Sequence, residues 1–279
     1  MAWLYKNWRR IAGLCCMAAG AMAVLLTGGC GADSEKNTAL LEQSYDSGVQ
    51  GKWQQSEDSA MDVLKNNPDD LNALMLRAIA SWHLKKRDVA LASARQAAEI
   101  APESYQAQYL YGWMLAQRND SAKNAIQVLR KALELRPNDR NTLLLLLQCC
   151  QRINSDDTLI YLRKLPEADR SKPEIQTIRA IYYLDRRDNR TANIRQAQDS
   201  LVKAYKYNKT SRDPKLRGEN TPDVVLNMAL FFDHYKRDRK QALSLYRHYL
   251  KITQGNPELN PTRAQVRSRI GKLQSRNNR

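Results

Sequence analysis

The sequence predicts an all-α chain, built as an array of antiparallel helix pairs, and three observations lead there. Nine Pro and eleven Gly in 279 residues are too few for an all-β chain full of turns, while 43% hydrophobic content is enough to fold. Pro68, Pro102 and Pro137 recur 34 and then 35 residues apart. Ahead of each proline, small and apolar residues fall into one register, which is the mark of stacked repeats.

The elements follow in chain order. "MAWLYKNWRR" supplies Lys6, Arg9 and Arg10 with no acid, an apolar stretch runs from Ile11 to Leu26, and Gly28 and Gly29 precede Cys30. That order is a secretory signal over residues 1–29. Glycine before a cysteine leaves a peptidase unobstructed and offers a thiol for acylation. The stretch resembles the lipobox of bacterial lipoproteins, although Thr27 stands where that family prefers Leu and Leu26 lies one place further back. The resemblance implies cleavage before Cys30, a lipid such as palmitate on its thiol, and a linker over residues 30–36. An uncleaved signal anchor is the alternative, since Ile11 to Thr27 is about the minimum length that spans a bilayer. Either way the rest of the chain is expected to be exported.

The repeats come next. "SEDSAMDVLKNNP", "ALASARQAAEIAP" and "AIQVLRKALELRP" place Ser56, Ala90 and Ala125 twelve residues before the proline, Ala60, Ala94 and Leu129 eight before, and Val63, Ala97 and Ala132 five before. Spacings of four and three put these on one helical face, where small side chains let a neighbour approach. The proline then ends the helix. Upstream helices "ALMLRAIASWHL" and "QYLYGWMLAQ" carry Ala78 and Gly112 at matching positions, and Gly51 and Trp53 mark the first turn. These units of about 34 residues resemble the tetratricopeptide repeat family, which implies a right-handed superhelical solenoid of antiparallel helix pairs.

The pattern continues with slippage. "RQAQDSLVKAYKYN" keeps the spacing with Ala197, Leu201 and Ala204, and "KQALSLYRHYLKI" with Ala242, Tyr246 and Tyr249; "EIQTIRAIYYLD" and "DVVLNMALFFDH" are their expected first helices. "NTLLLLLQCCQ" is a plausible fourth first helix, but its partner "DDTLIYLRKLP" is short and lacks small residues. Five to six repeats over residues 37–257 are expected, followed by a capping helix "TRAQVRSRIGKLQ" and a basic tail within residues 258–279. Two polar segments, "PEADRSKP" and "NKTSRDPKLRGENTP", interrupt the array as functional or mobile loops.

Charge is uneven. Residues 30–150 hold 14 basic and 15 acidic side chains, whereas residues 151–279 hold 28 basic and 14 acidic. The excess gathers at Arg186, Arg187 and Arg190, at Lys209, Arg212, Lys215 and Arg217, at Lys236, Arg237, Arg239 and Lys240, and at Arg263, Arg267 and Arg269. Such a surface either attracts anionic lipid, acidic protein faces or envelope polymers, or is a solvated face that aids solubility. Export disfavours nucleic acid.

In the tetratricopeptide family the first helices line a concave groove that holds peptide segments. Carried over, the lining is Asn72, Met75, Ile79, Trp82 and His83, then Tyr109, Trp113 and Gln117, then Asn141, Gln148 and Arg152. Trp82 and Trp113 suit an anchor, and equally suit a core. The groove lacks the Lys and Arg run that chaperone-binding members use to clamp a terminal carboxylate.

Catalysis finds no support in the sequence. There is no GxGxxG, P-loop, HExxH or GxSxG, and His83, His234 and His248 sit on separate expected helices. The adjacent Cys149 and Cys150 have no CxxC or third cysteine to complete a redox or zinc site, so no cofactor or metal is expected. The expectation is a non-enzymatic, lipid-tethered protein-interaction scaffold on the periplasmic side of a bacterial envelope. In enterobacterial lipoproteins, which the signal resembles, Asp after the acylated Cys retains a protein in the inner membrane, so by that rule Gly31 implies the outer membrane. Lipoproteins of similar size and repeat content serve as pilotins for pilus or secretion pores, or as accessory subunits of outer-membrane assembly machinery. A basic module gripping an anionic polymer or lipid through the second half is the alternative.

Overall fold

The computed structural model describes residues 32–186, 188–210 and 222–275. The expected signal segment with Cys30, as well as Arg187, Arg212, Lys215 and Arg217, lies outside the described residues. Among those residues there are fourteen α-helices and no strand, in two compact units that divide between Ser155 and Asp156.

The N-terminal unit holds α1 (Ala32–Val49), α2 (Trp53–Asn66), α3 (Leu71–His83), α4 (Arg87–Ile100), α5 (Tyr105–Ala116), α6 (Ala122–Leu135) and α7 (Arg140–Ile153), each packed on the next along the series from α1 to α7. The proline punctuation acts as expected. Asn67, Ala101 and Arg136, the residues before Pro68, Pro102 and Pro137, sit at φ −134°, −129° and −132° and close α2, α4 and α6. Two residues beyond each proline an N-cap starts the next helix: Asp70, Ser104 and Asp139 accept from the amides of Ala73, Ala107 and Thr142 at 2.9, 3.3 and 2.8 Å.

Between the helices the small residues are where the register put them. Ala60, Ala90, Ala94, Ala97, Ala125, Leu129 and Ala132 are all fully buried. Gly112 is a point of close approach, since a Cβ there would lie 2.7 Å from the Leu129 side chain. Cys149 and Cys150 are buried thiols, and burial pushes Cys149 up to about 11, so it stays protonated and behaves as a small apolar side chain.

The C-terminal unit is less regular. It holds α8 (Thr158–Lys164), α9 (Glu167–Arg170), α10 (Pro173–Asp185), α11 (Arg190–Thr210), α12 (Pro222–Phe231), α13 (Arg239–Ile252) and α14 (Asn260–Ser275). Pairs form between α10 and α11 and between α12 and α13, and α14 closes the series against α13 through Val266 and Leu273. The seven residues of α8 agree with the shortened fourth repeat. The expected irregular segment after Leu165 instead contains α9, and its Pro173 opens α10 at a position where the missing amide hydrogen costs nothing. The expected helix over "DVVLNMALFFDH" also stops early, because Phe232–Lys236 widens into a π-turn. That turn holds Asp233, whose side chain is 2% exposed and takes both Arg269 nitrogens Nε and Nη2 at 2.7 Å and the Tyr246 hydroxyl at 2.9 Å.

Candidate functional site

Of the eleven side chains expected to line a groove, ten lie on α3, α5 and α7 of the N-terminal unit and Gln117 caps the end of α5. Trp82, near the end of α3, and Trp113, on α5, meet edge to face with centroids 4.9 Å apart and planes at 63°. Both are half-buried, with one side on the core formed by Leu74, Ala78, Leu110 and Met114. They are therefore neither wholly core nor wholly surface. One residue on, His83 is exposed and stacks on Trp53 at 3.7 Å with planes 4° apart.

A residue that the sequence did not single out completes this cluster. The Arg87 guanidinium lies 3.5 Å from the centre of the Trp82 ring, and its Nη1 donates to the Trp82 carbonyl at 3.2 Å. Only four residues separate Arg87 from Trp82 in the chain, a spacing across a helix-helix turn that could have flagged the contact. Burial first, and the Arg87 charge second, pull His83 below the ordinary histidine range, so it is neutral at pH 7. Arg87 supplies a positive charge on the Trp82 indole.

A second aromatic pair lies at the start of α5. Tyr109 stacks on Tyr105 at 5.6 Å, Arg136 lies 4.1 Å over the Tyr105 ring, and the Tyr105 hydroxyl is 3.3 Å from Thr142 Oγ1. Burial pushes Tyr105 up to about 12, which keeps its hydroxyl protonated as a donor.

The remaining expected positions divide by role. Asn72, Ile79 and Gln148 are half-buried and Asn141 is exposed. Met75 is only 6% exposed and packs in the core, so it offers a ligand little area. Gln117 donates back to its own helix at the Trp113 carbonyl, 3.5 Å away. Arg152 donates to the Ala116 and Arg118 carbonyls, which ties the end of α7 to the end of α5 and satisfies carbonyls that a helix end leaves open.

The basic residues lie in the C-terminal unit. Arg190, Lys236, Arg237 and Lys240 are exposed and Arg239 is half-buried, while Arg186 stacks 4.4 Å over Tyr182 and pairs with Asp156 at 2.5 Å. Among the described residues no group of His, Cys, Asp or Glu could hold a metal ion, and no helix is long and apolar enough to cross a membrane.

Residues 46–103 and 85–140 match the model of a family described as tetratricopeptide repeat. No curated protein matches the chain in sequence at a significant level. Among solved structures, PilF of Pseudomonas aeruginosa is 15% identical, with a TM-score of 0.55 over 84% of this chain and 100% of that one. PilW, titled a widely conserved type IV pilus biogenesis factor, is 19% identical, with a TM-score of 0.58 over 81% of this chain and 97% of its own. A mutant O-GlcNAc transferase of Thermobaculum terrenum is 24% identical with a TM-score of 0.41; the alignment takes in 46% of this chain and only 24% of the transferase. The PilF and PilW likenesses establish the fold, an all-α solenoid of helix pairs.

Proposed function

We propose that this chain, whose residues 46–140 match the tetratricopeptide repeat model and whose fold is that of helix-pair solenoids, is a protein-interaction scaffold whose contact surface is the face of α3, α5 and α7 that carries Trp82 and Trp113. The observation that carries the reading is the half-buried Trp82–Trp113 pair with Arg87 over it. Two indoles offer large rigid contact area with little entropy to lose, and the guanidinium adds a charge that an acidic or carbonyl-bearing segment can meet. A peptide laid along these helices gains apolar burial at Trp82, Trp113 and Ile79 and polar contacts at Asn72, Asn141 and Gln148. The proposed work is binding.

The same proposal extends to place. The N-terminal run that ends in Gly-Gly-Cys supports a lipid tether at Cys30, and so a position in a bacterial cell envelope, on the periplasmic side of the outer membrane. Likeness to PilF and PilW over nearly their whole lengths supports a pilotin-like or accessory role in an envelope assembly.

The test is photo-crosslinking in cells from a photoreactive residue at the exposed Asn141. One dominant protein adduct that disappears with Trp113→Ala is the expected result. An adduct indifferent to that change, or none at all, overturns the groove. Cys30→Ser tests the tether separately: the mature mass and membrane fraction should both change, and an unchanged mass removes the lipid.

A further inference from the structure

We propose that the outer face of α13 docks on an anionic phospholipid surface. Lys240, Ser244, Arg247 and Lys251 follow one another at steps of four, three and four residues. At about 100° per residue they occupy an arc of about 60°, and they span about 16 Å along the helix. All four are exposed, while Ala242, Leu245, Tyr246 and Tyr249 on the opposite side are buried. The stripe is therefore one solvent-facing ridge of three cations.

What distinguishes these cations is how little acid their own helices carry. Neither α13 nor α14 contains a single Asp or Glu, and residues 239–279 hold ten Lys and Arg against one acid, Glu258. Lys240, Arg247 and Lys251 make no ion pair among the described residues. The N-terminal unit does the reverse: Lys65 pairs with Asp62 and Arg95 with Glu99, each one helical turn away. The basic character of α13 is thus a property of its sequence and not of a single unpaired side chain.

The chemistry of the ridge favours a membrane over a protein. Protein interfaces are centred on aromatic, Met and Arg anchors and are depleted of Lys, whereas this stripe is two Lys and one Arg around a Ser, with no apolar anchor on it. A bilayer attracts such a row without shape complementarity, through a negative surface potential that decays over a Debye length. Long Lys and Arg stems keep their charged ends mobile enough to follow headgroups that move laterally. The inference is independent of the groove on α3, α5 and α7.

The experiment uses the full chain reconstituted in vesicles of phosphatidylcholine alone or mixed with phosphatidylglycerol. A photoreactive residue replaces Ser244, and a control probe replaces the exposed Gln127 on α6. Expected are phosphatidylglycerol adducts at Ser244 several-fold above those in neutral vesicles, lost at high salt and lost in K240E/R247E/K251E. The Gln127 probe should show background in both lipids. Because the three side chains are exposed and unpaired, the variant should keep its far-ultraviolet circular dichroism; if it does not, the neutral K240Q/R247Q/K251Q replaces it. Equal capture from both vesicles, capture that survives charge removal, or a protein adduct at Ser244 in cells each overturns the proposal, the last in favour of an acidic partner.

Discussion

Residues 32–155 and residues 156–275 are built from the same kind of helix pair, yet they hold different things constant. In the first, α2, α4 and α6 are each 14 residues long, end before a proline and bury small or aliphatic side chains at the same three positions. In the second, helices run from four to 21 residues, one is interrupted by a π-turn, and the centre is filled by Phe231, Tyr246 and Tyr249 at 1% exposure or less. Small residues make one interface resemble the next, because backbones meet at a fixed distance whatever surrounds them. Large aromatics demand individual shapes, and the spacing drifts to suit them.

The largest effect expected from breaking this contrast is at Asp233, since the irregular unit closes on a part-buried ion pair rather than on repetition. Asp233→Asn removes the charge from a carboxylate that takes three hydrogen bonds from Arg269 and Tyr246. The loss should be about 2–3 kcal/mol, because the charge-assisted bonds from the half-buried Arg269 become weaker neutral ones. Every described Trp lies in the N-terminal unit and the sequence has none after Trp113. Urea unfolding should therefore shift in circular dichroism while the tryptophan signal moves little. Burial pushes the Asp233 carboxyl up, but the hydrogen bonds from Arg269 and Tyr246, with the Arg269 charge, outweigh it and hold the group below its usual range. This stabilisation is complete above the unfolded carboxyl value of about 3.9 and disappears as pH falls below it. Acid titration of Asp233→Asn should lack that component.

Next in size is Gly112→Ala, which tests whether close approach matters in the regular unit. A Cβ there would stand 2.7 Å from Leu129 Cγ and Cδ2, and Leu129 is fully buried. Overpacking of that kind costs about 1–3 kcal/mol, offset by about 1 kcal/mol of better helix propensity. The expected net loss is up to about 2 kcal/mol, seen in the tryptophan-monitored transition. Pairing it with Leu129→Ala should be less costly than the two losses added, because each substitution relieves the other.

Why the first unit was legible and the second only partly so follows from the same contrast. Pro68, Pro102 and Pro137 act within two residues of themselves, as do the caps at Asp70, Ser104 and Asp139, so a linear reading finds them. The small residues at Ala60, Ala94 and Ala97 recur at helical spacing and are equally local. The site is less accessible from sequence: Trp82 and Trp113 were each identified, but their mutual contact and half-burial depend on how two helices 31 residues apart cross. Arg152 looked like a ligand contact because it sits at a groove position, and only the structure shows it committed to the Ala116 and Arg118 carbonyls. The pair Asp233–Arg269 joins residues 36 apart through a turn whose π geometry has no sequence period at all.

The smallest effect has the opposite sign and is the sharpest use of the comparison. Gly271 also lies inside a helix, α14, but a Cβ there would meet nothing within 4 Å. The same substitution that harms Gly112 should therefore help here, because only the helix-propensity part remains: Gly271→Ala should stabilise by about 0.5–1 kcal/mol, read from the circular dichroism transition of the C-terminal unit. A gain at Gly271 beside a loss at Gly112 separates a glycine placed for packing from one that the fold merely tolerates. A loss at both positions would mean that α14 is covered by another surface in the protein as it works, and the exposed side of the cap would become the next place to look for a partner.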